Sequence, residues 1–112
     1  MPASLTTHVL DTARGRPAPG IEITLHALDG DTRREVARAT TNADGRTDAA
    51  LLAEAPLGQY ELTFHAGPYL SAHHADPGFL TDIPIRFTIA EEAHHHVPLL
   101  LAPGGYTTYR GS

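Results

Sequence analysis

The sequence given closes on Tyr109-Arg110-Gly111-Ser112: a phenol, a guanidinium, a glycine and a hydroxyl that folding alone does not require in that order. His94-His95-His96 stands shortly before it and His8 near the start, four of the eight histidines among 112 residues. Imidazole, with an unperturbed pKa near ~6.5, takes or gives a proton close to neutrality, which suits general acid-base chemistry. A metal reading of 94–96 competes, because imidazole is a common zinc donor. Neighbours on a strand point to opposite faces, so only His94 and His96 could share an ion, and no suitably spaced carboxylate completes such a set. Ser112 lacks the strand-turn-helix elbow that exposes a serine nucleophile. His26, His65, His73 and His74 read as solvent-facing or hydrogen-bonded bystanders.

The elements that must position these groups are strands. Residues 5–11 alternate, with Leu5, Thr7 and Val9 on one face and Thr6, His8 and Leu10 on the other. Residues 21–28 put Ile21, Ile23 and Leu25 inward; residues 34–41 extend to a turn at Asn42-Ala43-Asp44-Gly45, and a short strand is expected near 46–49. Residues 59–66 set Tyr60, Leu62 and Phe64 against Glu61, Thr63 and His65. A turn of helix is expected near 69–74, then Ile83, Ile85, Phe87 and Ile89 share one face of 83–89. Residues 94–101 and 105–110 read as a hairpin pair around Ala102-Pro103-Gly104-Gly105. No window sustains apolar residues at helical spacing, so about eight short strands predict an all-β, two-sheet sandwich with one short helix.

Val97, Leu99 and Leu101 are the natural core face of 94–101, which leaves His96 on the opposite face. Tyr109 shares a face with Thr107, whereas Arg110 turns the other way. Three strands thus carry His8, His96 and Tyr109 on faces that need not be core. Brought together, they would make a mostly uncharged, imidazole-studded surface suited to a neutral heterocycle or to a subunit interface. Arg46, directly after Asp44-Gly45, reads from spacing alone as a solvated turn residue.

Composition narrows the class. The length fits one domain, residues 1–112, with 41% apolar residues for a small core, and oligomerisation would help so small a chain. The formal charge of -5 argues against nucleic acid as a partner. No stretch could span a membrane as an apolar helix, and Cys is absent. Met1-Pro2-Ala3-Ser4 lacks a charged-then-apolar leader pattern, so a cytoplasmic home is expected.

Leu5-Thr6-Thr7-His8-Val9-Leu10-Asp11-Thr12, Thr41-Asn42-Ala43-Asp44-Gly45-Arg46 and His96-Val97-Pro98-Leu99-Leu100-Leu101, running on to Gly105-Tyr106-Thr107-Thr108-Tyr109-Arg110-Gly111-Ser112, span nearly the whole chain. In these segments the sequence resembles the 5-hydroxyisourate hydrolases, the enzymatic branch of the transthyretin-like family. The resemblance implies a two-sheet sandwich assembled as a homotetramer, a dimer of dimers with sites in a channel between dimers. It implies hydrolysis of 5-hydroxyisourate, a purine-derived small molecule, without metal or organic cofactor. It places His8, His96, Arg46 and Ser112 in the catalytic set, and Arg46, Tyr109 and Gly111 against substrate. Two rival readings are a transthyretin-like binder of aromatic ligands and a plain structural sandwich; the absence of Trp and of any linker speaks against the second.

Overall fold

Aliphatic and β-branched residues at every second position give each strand one face to bury, and two sheets close over those faces. The structure is a computed structural model describing residues 2–75 and 78–111. Along the chain run β1 (Ala3–Asp11), β2 (Arg16–Pro17), β3 (Glu22–Asp29), β4 (Thr32–Thr40), β5 (Leu52–Ala55) and β6 (Gly58–His65). The helix α1 (Gly67–His73) follows, then β7 (Asp82–Ile89), β8 (His94–Ala102) and β9 (Gly105–Thr108). One sheet has the order β2-β1-β8-β9, with β5 also paired to β1; the other runs β4-β3-β6-β7. This is the all-β, two-sheet sandwich with one short helix that the alternation predicts. No helix among the described residues is long and apolar enough to cross a membrane.

The core is the set of inward positions: Leu5 and Val9 from β1, Ile23 and Leu25 from β3, Leu62 and Phe64 from β6, Leu99 and Leu101 from β8, all fully buried. Each such side chain contributes roughly 1.5–3 kcal/mol of burial free energy, which makes this layer the main support of the sandwich. Leu70 of α1 closes one end, and Pro68 sits in the first turn, where its missing N–H costs nothing. Beneath α1, the buried Asp11 carboxylate accepts from the Tyr69 hydroxyl at 2.7 Å, from His74 Nε2 at 2.8 Å and from the Arg14 N–H at 3.0 Å. Burial pushes this carboxyl up, yet the hydrogen bonds from Tyr69, His74 and Arg14 outweigh it and hold its pKa below the usual value.

The strand expected near 46–49 does not form. Asn42 Oδ1 accepts from the N–H of Asp44 at 2.9 Å and of Arg46 at 3.2 Å, and the Asn42 N–H donates to the Arg46 carbonyl at 2.7 Å. Those local bonds consume the backbone groups that a strand would offer a neighbour. The pairing segment comes later, as β5, which joins β1 at Ala3 and Leu5. Since β2 joins the same edge of β1 at Leu10 and Asp11, a gap is left between β5 and β2. The 42–50 loop fills it, and that gap positions the site.

Candidate active site

Strands β1 and β8 are parallel, with Thr6 paired to His96, His8 to Pro98 and Leu10 to Leu100. On the other side of β8, antiparallel β9 sets Thr107 against Leu100, and a bridge between His96 and Gly111 continues that register past the end of β9. The period of two therefore turns Thr6, His8, His96, Tyr109 and Gly111 to the same outer face of the sheet. They line a cleft of about 780 Å³ together with Arg46.

Arg46 reaches the cleft because its loop is fastened to β1. The Val9 N–H donates to the Gly45 carbonyl at 2.8 Å, and the Leu51 N–H donates to the Leu5 carbonyl at 2.9 Å. Gly45 has φ of +74°, and a Cβ there would lie 2.4 Å from the Val9 carbonyl oxygen. Only glycine fits so close a backbone approach. Asn42 Nδ2 also ties the loop to Asp48 Oδ1 at 2.9 Å. The Asp-Gly turn signal thus does more than reverse the chain: it delivers the next residue, Arg46, beside His8.

Of the three imidazoles that line the cleft, those of His8 and His96 are biased toward the neutral form. Burial is the main cause at His8, aided by the Arg46 guanidinium, and these outweigh the opposing backbone hydrogen bond and charge of Asp44. At His96 burial again leads, followed by Arg46, His8 and His94. Both pKa values lie below the ordinary 6.5. Neutral imidazole is the form that can accept a proton from water. Arg46 makes no ion pair among the described residues, so its guanidinium stays available to carbonyl or anionic oxygens of a ligand.

Gly111 lies directly under the His96 ring: a Cβ there would come 2.6 Å from His96 Cδ2, and its N–H donates to the His96 carbonyl at 2.7 Å. Tyr109 is half exposed at the rim of the cleft, a flat surface for a planar ligand. Arg110 points away and pairs with Glu91 at 3.0 Å, as strand alternation predicts. Ser112 lies outside the described residues. His8, His96, Arg46, Tyr109 and Gly111 are therefore brought together.

Sequence reasoning missed Ser4 and the working position of Thr6, whose hydroxyls bond His94 and His96. The signal was the run of polar outward residues at Ser4, Thr6 and His8; what was lacking was the parallel β1–β8 register that sets them against the histidines. His94 and His96 share the face with ring centroids 6.5 Å apart. Among the described residues no group of three or more His, Cys, Asp or Glu could hold a metal ion.

A family model described as the HIUase/Transthyretin family matches residues 5–111. A 5-hydroxyisourate hydrolase of Mesorhizobium japonicum is 57% identical over 96% of this chain and 91% of its own length. Among solved structures, a Klebsiella pneumoniae 5-hydroxyisourate hydrolase is 39% identical, with a TM-score of 0.84 over 98% of this chain and 99% of that one. (S)-Allantoin synthase is 43% identical at a TM-score of 0.90, the chain covering 44% of its length. Sea bream transthyretin in complex with thyroxine superposes at 0.88 with 26% identity, covering 96% of this chain and 94% of that one.

Proposed function

The chain belongs to the HIUase/transthyretin family, and from that premise we propose that it hydrolyses 5-hydroxyisourate to 2-oxo-4-hydroxy-4-carboxy-5-ureidoimidazoline, a ring-opening step of urate degradation. The observation that carries the reading is the convergence of His8, His96 and Arg46 on one cleft, in a chain 57% identical to a 5-hydroxyisourate hydrolase. A carrier of aromatic ligands has no use for two imidazoles biased toward the neutral form beside a guanidinium that makes no ion pair among the described residues.

Hydrolysis of a ring amide requires a base for water, a partner for the developing oxyanion and a proton for the leaving nitrogen. In this reading one of His8 and His96 takes a proton from water as its oxygen bonds to the ring carbonyl carbon. The other supplies the proton with which the ring nitrogen departs, so the two histidines begin in complementary tautomers. Arg46 holds the carbonyl oxygen, or an anionic oxygen of the substrate, through its planar fork. Tyr109 packs against the planar ring, Gly111 leaves space for His96, and Ser112 orients a histidine or the ligand.

The proposal extends to a homotetramer. Family membership and the openness of the cleft on the outer sheet face support it, since a second dimer laid over that face would exclude water from the reaction. Strands β7 and β9, which end their sheets, offer edges for pairing within a dimer. It also includes a cytoplasmic location, tested by fractionating cells that express the untagged protein.

The test is the decay of freshly generated 5-hydroxyisourate, followed by ultraviolet absorbance with and without protein, beside sedimentation for mass. Acceleration far above spontaneous hydrolysis by a tetramer is expected. A rate equal to the spontaneous one, with calorimetric binding of thyroxine, would move the protein to the carrier branch.

A further inference from the structure

Beside His96, along the wall of the cleft, lies a line of hydrogen-bonded side chains that the proposed reaction leaves unused. Parallel pairing sets Ser4 beside His94 and Thr6 beside His96. Ser4 Oγ is 2.8 Å from His94 Nδ1, Thr6 Oγ1 is 3.2 Å from His94 Nε2, and the same Thr6 oxygen is 2.8 Å from His96 Nδ1. The two imidazoles are nearly parallel, 16° apart, with centroids 6.5 Å from each other. Thr6 and the exposed His94 line the cleft with His96, and the half-buried Ser4 lies beyond that lining, so the line runs along the cleft wall to its margin.

A hydroxyl has one proton. Thr6 Oγ1, held between two ring nitrogens, donates to one of them and accepts from the other. With both rings neutral, two arrangements satisfy all three bonds. In the first, His96 Nδ1–H donates to Thr6, Thr6 donates to His94 Nε2, and His94 Nδ1–H donates to Ser4; His96 Nε2 is then bare. In the second every bond is reversed, from Ser4 through His94 and Thr6 to His96 Nδ1, and His96 Nε2 carries the proton. The two arrangements differ only in which heavy atom of each bond holds its hydrogen.

We propose that Ser4, His94 and Thr6 are positioning residues that form a proton relay, switching His96 between base and acid by tautomer exchange. The inference rests on the reading of His96 as an acid-base group. As His96 Nε2 takes a proton from the cleft, its Nδ1 proton passes to Thr6, the Thr6 proton to His94 Nε2, and the His94 Nδ1 proton to Ser4, which releases its own to water. One proton enters, one leaves, and no net charge stays on His96. Running the line backwards restores the bare nitrogen after each turnover. A neutral route fits the surroundings of His96, where burial, Arg46, His8 and His94 all oppose an imidazolium. Two exchangeable tautomers also suit a histidine that ends its proton step in the opposite tautomer and must be reset before the next turnover.

Thr6→Val removes the hydroxyl at nearly constant shape, Thr6→Ser keeps it, and His94→Phe keeps a flat ring without nitrogens. Expected for Thr6→Val is a kcat about tenfold or more lower, the scale seen when a partner that fixes an imidazole is lost, with KM little changed. Thr6→Ser should restore most of the rate, and His94→Phe should resemble Thr6→Val. In mixed light and heavy water the wild-type rate should fall along a curve, as several protons move together, and the Thr6→Val rate along a straight line. Nitrogen-15 NMR should find His96 averaging two tautomers in the wild type and fixed in one in Thr6→Val. Wild-type kcat and a curved profile in Thr6→Val, while His96→Ala is crippled, would overturn the relay alone. Wild-type turnover in His96→Ala would instead overturn the acid-base reading on which the relay stands.

Discussion

The two sheets each present a polar outer face, and the faces are built on opposite principles. On β6, Glu61 is clamped between arginines: Arg33 donates to Oε1 at 2.6 and 2.8 Å, and Arg86 to Oε2 at 2.9 Å. The hydrogen bond from Arg86, with further help from Arg33, outweighs burial and lowers the Glu61 pKa. Arg38 likewise bridges Glu22 at 3.0 Å and Glu35 at 2.9 Å. Every one of these charges is spent on a neighbour. On the outer face of the β1–β8 sheet, hydroxyls and imidazoles bond one another, and Arg46 is left without an acidic partner among the described residues. A face whose charges are cancelled holds strands together. A face with hydroxyls, imidazoles and a guanidinium that has no acidic partner among the described residues is equipped to act on something that enters it.

Substitutions can break this contrast. The largest effects are expected on the cleft: His8→Ala or His96→Ala should lower kcat by about a hundredfold or more, the scale of general acid-base groups, and removal of 109–112 should abolish turnover. Next comes pH. Because both pKa values are depressed, the neutral imidazoles persist below pH 6.5. Turnover should therefore fall on the acid side only below that value, about tenfold per unit once the base is protonated. Arg46→Gln removes one cause of the depression, so its acid limb should move upward toward 6.5 while kcat/KM drops. A limb left in place would separate Arg46 from the histidines.

Gly111→Ala should cost roughly tenfold in kcat, because the new methyl displaces the ring of His96 that the cleft depends on. Smallest is Glu61→Gln. It should leave turnover per folded molecule unchanged and lower the free energy of unfolding by about 1–2 kcal/mol in urea, between the values for exposed and buried pairs. A larger loss of activity than of stability there would erase the distinction between the faces.

Alternation made much of this legible. It gave the correct faces for β1, β3, β7 and β8, and it turned Tyr109 inward to the cleft and Arg110 away from it. It was less informative about burial on β3 and β6, where Thr24, Glu61 and Thr63 alternate outward yet are buried. Arginine side chains from β7 beside it and from β4, reaching across β3, lie over Glu61, a covering that no single strand's pattern reveals. Arg46 was illegible from spacing because its position depends on a gap in the edge of β1, formed by two strands that pair at opposite ends of it. Resemblance to a family supplied that residue; the loop bonded to Val9 supplies the reason. Asp11, buried under Tyr69 and His74, likewise depends on a helix docking far along the chain.

The most direct test sets the two faces side by side in one assay. Freshly generated 5-hydroxyisourate is followed by ultraviolet absorbance in the presence of wild type, His8→Ala, His96→Ala and Glu61→Gln, each at equal folded concentration. Wild type and Glu61→Gln should turn over alike, with both histidine variants close to the spontaneous rate. Histidine variants that match the wild type, or a Glu61→Gln enzyme as impaired as they are, would contradict the placement of catalysis on the outer face of the β1–β8 sheet.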